Sequence, residues 1–247
     1  MKYFFDDNKR SLLDEESGFN LDVGQKTRSQ VTQGLIINEY KVDNSAKESA
    51  PFLSGDYIIA QTNLAFDENV RQVLGKKFKK LINKDGAGKK KILCCGIGNP
   101  YMVSDSLGAE TIRKLMEKRK KKIKLLMPLL EGLTGISSMS ILKNVVIDER
   151  IDTVIMIDSL CTRKNERIGF SYQLSNAGII PGSAMGATKS VDKEFLGVKT
   201  FAIGVPTVLK IDGIEGGREN MFAPKDIDLI IEKVSRNICE IIENAIY

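Results

Sequence analysis

Histidine and tryptophan are both absent from the 247 residues of this chain. Without an imidazole there is no Ser-His-Asp or Cys-His catalysis and no zinc site built on histidine. Any acid–base chemistry falls to Asp, Glu, Lys, Tyr or Cys. No apolar run approaches the roughly 20 residues that a membrane helix needs. The opening MKYFFDDNKR lacks the basic-then-apolar order of a secretory signal. A cytoplasmic protein with no membrane partner is therefore expected. Cysteine is sparse, and none of the four has metal-finger or redox spacing. Cys94 and Cys95 are neighbours that a strand would point to opposite faces, and Cys161 and Cys239 stand apart from them, so all four read as buried reduced thiols.

What is present belongs to an ordinary globular chain, 42% hydrophobic and 28% charged, long enough to bury a sizeable core. The net charge of +5 is modest but unevenly spread. Lys76, Lys77, Lys79, Lys80, Lys84, Lys89, Lys90 and Lys91 make one basic stretch, and residues 113–124 make another. Two solvated helix faces account for both. A surface that meets nucleic acid is the sharper alternative, but no aromatic residues interleave the lysines, so no direct sequence-specific nucleic-acid contact is expected.

The chain is organised around KILCCGIGNPYMVSDSLG, residues 91–108. Ile92, Leu93, Cys94 and Cys95 lack the polar alternation of a one-sided strand and suit the centre of a parallel sheet covered on both faces. Gly96 and Gly98 end the strand. Asn99, Pro100 and Ser104 supply turn chemistry, and Ser104 or Asp105 is placed to cap a helix carrying Leu107, Ile112, Leu115 and Met116. TVIMID, residues 153–158, repeats this form and again ends on an acid. If both strands are parallel members of one sheet, Asp105 and Asp158 emerge at the same edge, where open α/β sheets gather ligands. Two carboxylates brought together there cannot both ionise cheaply, so one is expected to hold a proton near neutral pH while the other serves as a base. Taken singly, Asp105 also suits a plain helix cap, and Asp158 an acid that ties down neighbouring loop amides.

Around this centre the chain divides into a loose, acid-rich segment over residues 1–23, a candidate propeptide, and a single α/β domain over 24–247. Rising β-branched content predicts short strands within 29–39 and 56–62, a small N-terminal β-rich extension. Asp67 opens a helix with Val70, Val73, Leu74, Phe78, Leu81 and Ile82 on its apolar stripe, and the glycines near residue 86 end it. A strand within 124–130 leads to EGLTGISS, where Gly132 and Gly135 break the pattern and Ser137 or Ser138 caps the next helix. After TVIMID come a strand over 169–174, a glycine-rich loop over 175–190, an interior strand over 199–205 closed by Pro206, an exposed glycine-rich stretch over 210–220, and a long helix after Pro224. The β-α-β-α-β alternation implies a mostly parallel central sheet flanked by helices.

The pieces CGIGNPYMVSDSLG, GLTGI, VIMIDSL, SNAGIIPGSAMG, LGVKTFAIGVPTV and APKDIDLIIEKV, in that order, resemble the germination protease family, spore endopeptidases that degrade small acid-soluble spore proteins. The resemblance implies a fold similar to the hydrogenase maturation endopeptidases, a zymogen clipped at its N-terminus, and a homotetramer in the spore core. It also implies catalysis by two aspartates that match Asp105 and Asp158, with no cofactor. Three features depart from the family pattern. Residues 1–23 show no recognisable counterpart of the clipped segment, the stretch between Leu209 and Pro224 is shorter, and Ile180 stands where some relatives carry a histidine.

The chemistry expected is acid–base hydrolysis of a peptide bond, with Asp105 and Asp158 as the catalytic pair. Gly96, Gly98, Asn99, Gly132, Gly182, Ser183 and Gly186 are the candidate substrate- and oxyanion-facing positions. Two rival readings remain. One is a non-catalytic relative that holds a peptide or nucleotide on the same edge. The other is a metal-dependent maturation endopeptidase in which Asp105, Asp158 and Glu131 bind a divalent cation through oxygen.

Overall fold

The computed structural model describes residues 24–32, 34–43, 53–62, 68–84, 91–118, 122–183, 187, 189–211 and 220–247. The segment 1–23, Gly186 and most of the stretch expected to be exposed over 210–220 lie outside them.

Among the described residues, nine strands form one mixed sheet in the order β1-β2-β3-β7-β8-β6-β4-β5, with β9 paired to β8. They are β1 (Gly24–Thr32), β2 (Leu35–Val42), β3 (Gly55–Thr62), β4 (Ile92–Gly96), β5 (Ile123–Leu126), β6 (Thr153–Thr162), β7 (Ser171–Ser175), β8 (Lys199–Ile211) and β9 (Asn220–Phe222). The centre β5-β4-β6-β8 is parallel, and the pairings outside it are antiparallel. The helices are α1 (Glu68–Asn83), α2 (Leu107–Glu117), α3 (Glu131–Thr134), α4 (Ser138–Asp148), α5 (Lys193–Leu196) and α6 (Ile227–Ile246).

Strand alternation sorts the core into two layers. Ile155 and Ile157 face a cluster that includes Leu74 and Phe78 of α1, Leu107 and Ile112 of α2, and Ile238 and Ile242 of α6. Val154 and Met156 face Leu142 and Val146 of α4 and Leu196 of α5. Cys94 lies in the first layer and Cys95 in the second, as neighbours on a strand must. Each fully buried aliphatic side chain contributes about 1.5–3 kcal/mol, so layers on both faces make the strand ends a firm platform. Phe78 meets Phe201 edge to face, with centroids 6.1 Å apart.

Several lysines of the basic stretches pair with acids on neighbouring elements. Lys77 pairs with Glu39, Lys114 with Glu232, Lys118 with Glu243 and Lys124 with Glu149, while Lys84 reaches Asp56 at 2.6 Å. Among the described residues, no helix is long and apolar enough to cross a membrane.

Several boundaries differ from expectation, each for a local reason. The short strands expected within 29–39 belong to the β1–β2 hairpin, which reverses at Gly34, φ +81°, and β1 starts earlier than expected, at Gly24. Strand β8 does not stop at Pro206. A bulge skips Thr207, so that Leu160 pairs with Pro206 and Cys161 with Val208, and the ladder tolerates the missing proline N–H there. Neither Ser104 nor Asp105 caps α2, whose N-cap residue is Ser106, and Ser106 Oγ donates to the Val103 carbonyl instead. Helix α4 likewise starts after Ser137 with no side-chain cap, and Ser138 Oγ donates to the carbonyl of Leu129.

Candidate active site

The site is built where β4 and β6 end. A Cβ on Gly96 would lie 2.4 Å from the carbonyl oxygen of Gly108, so the bare glycine lets α2 dock directly on the strand end. Gly98, at φ +105°, turns the chain back over Asp105, and a side chain there would strike the Asp105 carbonyl at 2.2 Å. The turn is then locked by hydrogen bonds. Asn99 N donates to Asp105 Oδ2 at 2.7 Å, Tyr101 N to Asn99 Oδ1 at 2.9 Å, and Asp105 N to the Met102 carbonyl at 2.8 Å. From β8, the bulged and fully buried Thr207 donates its hydroxyl to the Ser104 carbonyl at 2.6 Å. The irregularity around Pro206 thus holds the turn that carries Asp105. Thr207→Val is expected to lower stability by about 1 kcal/mol in urea unfolding, because it strands the Ser104 carbonyl.

Asp158 reaches the same edge along β6, in register with Gly204 of β8, and its Oδ1 accepts from Ser159 N at 2.9 Å. The acids sense each other. Burial pushes the Asp158 carboxyl up to about 8, the Asp105 charge pushes in the same direction, and the Ser159 amide opposes both. Burial also raises Asp105, against the pull of the Asn99 amide. The Cys95 thiol beneath is raised by burial and by the Asp158 charge, so it stays protonated and inert.

Both acids line a cleft of about 850 Å³. Its walls are apolar, with Met102, Leu129, Leu130, Met139, Ile179 and Phe222 among them. Leu129 adopts φ +58°, an uncommon left-handed conformation for a branched residue. Gly98, Asn99, Gly182, Ser183 and Glu131 line the cleft with the acids, and so does Ile180. Gly96 lies within β4 against α2, Gly132 sits in exposed α3 with open space around its Cα, and Gly186 is outside the described residues. Asp105, Asp158 and Glu131 do not converge. Among the described residues, no three carboxylate or thiol side chains form a group that could hold a metal ion. The three-carboxylate arrangement expected for a divalent cation is therefore not formed.

Sequence reasoning passed over two parts of the cleft. Gln173 of β7 lines it, and its only signal was a large polar side chain in an otherwise interior strand. Met221 and Phe222 of β9 also line it, from three exposed residues that carry no periodicity.

A model of the germination protease family matches residues 5–216 of the chain. The chain belongs to the germination protease family. It is 27% identical to a germination protease of Bacillus thuringiensis subsp. konkukian (strain 97-27), covering 92% of this chain and 65% of that protein. It is likewise 27% identical to one of Bacillus cereus (strain 03BB102), covering 88% and 62%. The chain therefore spans less than two thirds of the length of these curated relatives. Among solved structures, a [NiFe] hydrogenase maturation protease HycI from Thermococcus kodakarensis KOD1 aligns with 19% identity and a TM-score of 0.41, over 68% of this chain and 99% of that one.

Proposed function

We propose that this chain is an endopeptidase that hydrolyses peptide bonds of small acid-soluble spore proteins during germination, using Asp105 and Asp158 as an acid–base pair. The observation that carries this reading is the position of the two acids at one strand edge of an 850 Å³ cleft, where Asp158 holds its proton up to about 8. At neutral pH the pair shares one proton, which rests on Asp158. Ionised Asp105 takes a proton from water, and the water oxygen bonds to the scissile carbonyl carbon. Asp158 gives its proton to the carbonyl oxygen. Asp105 then passes the proton it took from water to the leaving nitrogen, the C–N bond breaks, and a hydroxyl of the tetrahedral intermediate returns its proton to Asp158, which restores the singly protonated pair with no covalent enzyme intermediate. The family match supports the protease role, and the substrate class, a zymogen origin, a homo-oligomer and a cytoplasmic setting in the spore core are part of the proposal.

Incubating the purified chain with a small acid-soluble spore protein tests the reading on a gel. Discrete fragments are expected, and an intact substrate under chelator-free and chelator-treated conditions alike overturns it.

The reaction needs one proton on the pair, so kcat/KM is expected to fall as pH rises through about 8, where that proton leaves. A rate that stays level to pH 10 contradicts the assignment. Stability follows the same group. The folded chain keeps the Asp158 proton up to about 8, whereas the unfolded chain releases it near the ordinary aspartate value. Between those limits the native state binds more protons, and stability falls as pH rises, with a slope of at most about 1.4 kcal/mol per pH unit. Urea unfolding across this range is expected to show that slope in the wild type and to lose it in Asp158→Asn.

A further inference from the structure

Strand β7 presents three polar side chains, Ser171, Gln173 and Ser175, to the face that Asp158 also occupies, all of them buried. Gln173 is 9% exposed, lines the cleft, and has no hydrogen-bond partner for its Oε1 among the described residues. A buried acceptor left unpaired lowers stability, so its place here calls for a donor that arrives from outside the chain. Register fixes where that donor would lie. Gln173 pairs with Gly204, and Gly204 with Asp158, so the three stand in one row across β7, β8 and β6. Gly204 contributes no side chain between them, and the Leu160 side chain lies over it as apolar floor. Two interstrand steps separate Gln173 from Asp158, about 10 Å of backbone, which an extended peptide covers in about three residues.

We infer that the Gln173 carboxamide binds the main chain of the substrate, its Oε1 accepting a peptide N–H within about three residues of the bond presented to Asp158. The inference rests on the peptidase reading and adds a group that grips the backbone whatever the side chains of the substrate. An apolar cleft needs such a group, because desolvating a peptide N–H against Leu and Ile walls without a partner opposes binding. Gln173 is thus a contact to substrate and takes no part in proton transfer.

The test uses the full chain, a small acid-soluble spore protein, and a synthetic peptide spanning the bond the wild type cuts, with its backbone amides N-methylated one at a time. Gln173→Met keeps the shape and removes the carboxamide. It is expected to lower kcat/KM about tenfold, mainly through KM, while the melting temperature holds or rises because an unsatisfied acceptor has been removed. One N-methylated position is expected to weaken wild-type cleavage by a similar factor and to add no further loss in Gln173→Met. If Gln173→Met does not fold, Gln173→Asn, which withdraws the carboxamide by one methylene, takes its place with the same expectation for kcat/KM and for the N-methyl penalties. Wild-type kcat and KM in the variant overturn the inference and leave the peptidase standing. So does a lowered melting temperature with the same N-methyl penalties in both proteins. A wild type that cuts nothing overturns both.

Discussion

Asp158→Asn and Asp105→Asn are each expected to lower kcat/KM by about 10²–10⁴, the range that positioned acid–base groups contribute, while circular dichroism and the melting temperature at neutral pH show a folded chain. The two variants should fail for different reasons. Asparagine at 158 keeps the volume and still accepts from Ser159 N, but has no proton to give. Asparagine at 105 still accepts from Asn99 N, but cannot take a proton from water. Stability separates them further. Asp158→Asn removes a carboxyl whose charge is unfavourable in its half-buried site, so at pH 8 it should unfold at higher urea than the wild type. Asp105→Asn also relieves Asp158 of a neighbouring charge. Near-wild-type turnover in both variants would remove the pair from the mechanism. A loss confined to one would point to a single carboxylate activating the water.

The parallel centre was legible because strands covered on both faces carry continuous apolar runs, and ILCC, VIMI and FAIGV are such runs. The edges were not. Strand β1, GQKTRSQVT, is exposed along most of its length, so nothing in its composition distinguishes it from a loop, and only its pairing with β2 makes it a strand. Pro206 read as a stop because proline cannot donate to a ladder, yet the bulge at Thr207 takes up that deficit. That compensation is tertiary, and no window of β8 shows it.

The placement of the acids followed from strand ends alone, since parallel neighbours must release their carboxyl-end residues at one edge. Their local roles did not follow. Asp105 suited an N-cap on spacing, but α2 begins two residues later and the carboxylate turns back to Asn99 N. What decides between those outcomes is Gly98, whose positive φ folds the chain over Asp105 and brings the Asn99 amide within reach. Gln173 was invisible for the opposite reason. A glutamine within a strand is ordinary in sequence, and it becomes unusual only once burial, an unpaired Oε1 and its place in one row with Gly204 and Asp158 are known together.

Gly108→Ala is expected to destabilise the chain by about 3 kcal/mol, even though alanine is the better helix former by about 1 kcal/mol. Gly108 lies in the first turn of α2, and a Cβ there would meet Ile97 O at 2.3 Å, Ile97 N at 2.5 Å and Ile157 O at 2.7 Å. All three are main-chain atoms at the ends of β4 and β6, and Ile97 N already donates to Ile157 O at 2.8 Å, so none can swing aside as a flexible side chain would. The helix must lift from the strand ends instead. Asp105 sits three residues upstream on the turn leading into that helix, and a displacement of about 1 Å there is enough to lower activity about 10²-fold. Gly132→Ala is the control, because Gly132 is in an exposed helix with nothing within 4 Å of the added methyl, and it should hold or slightly raise stability. Urea unfolding and kcat/KM measured on both variants check this. If Gly108→Ala matches Gly132→Ala in stability and cuts substrate at the wild-type rate, the close seating of α2 on β4 and β6 is not what holds Asp105 opposite Asp158.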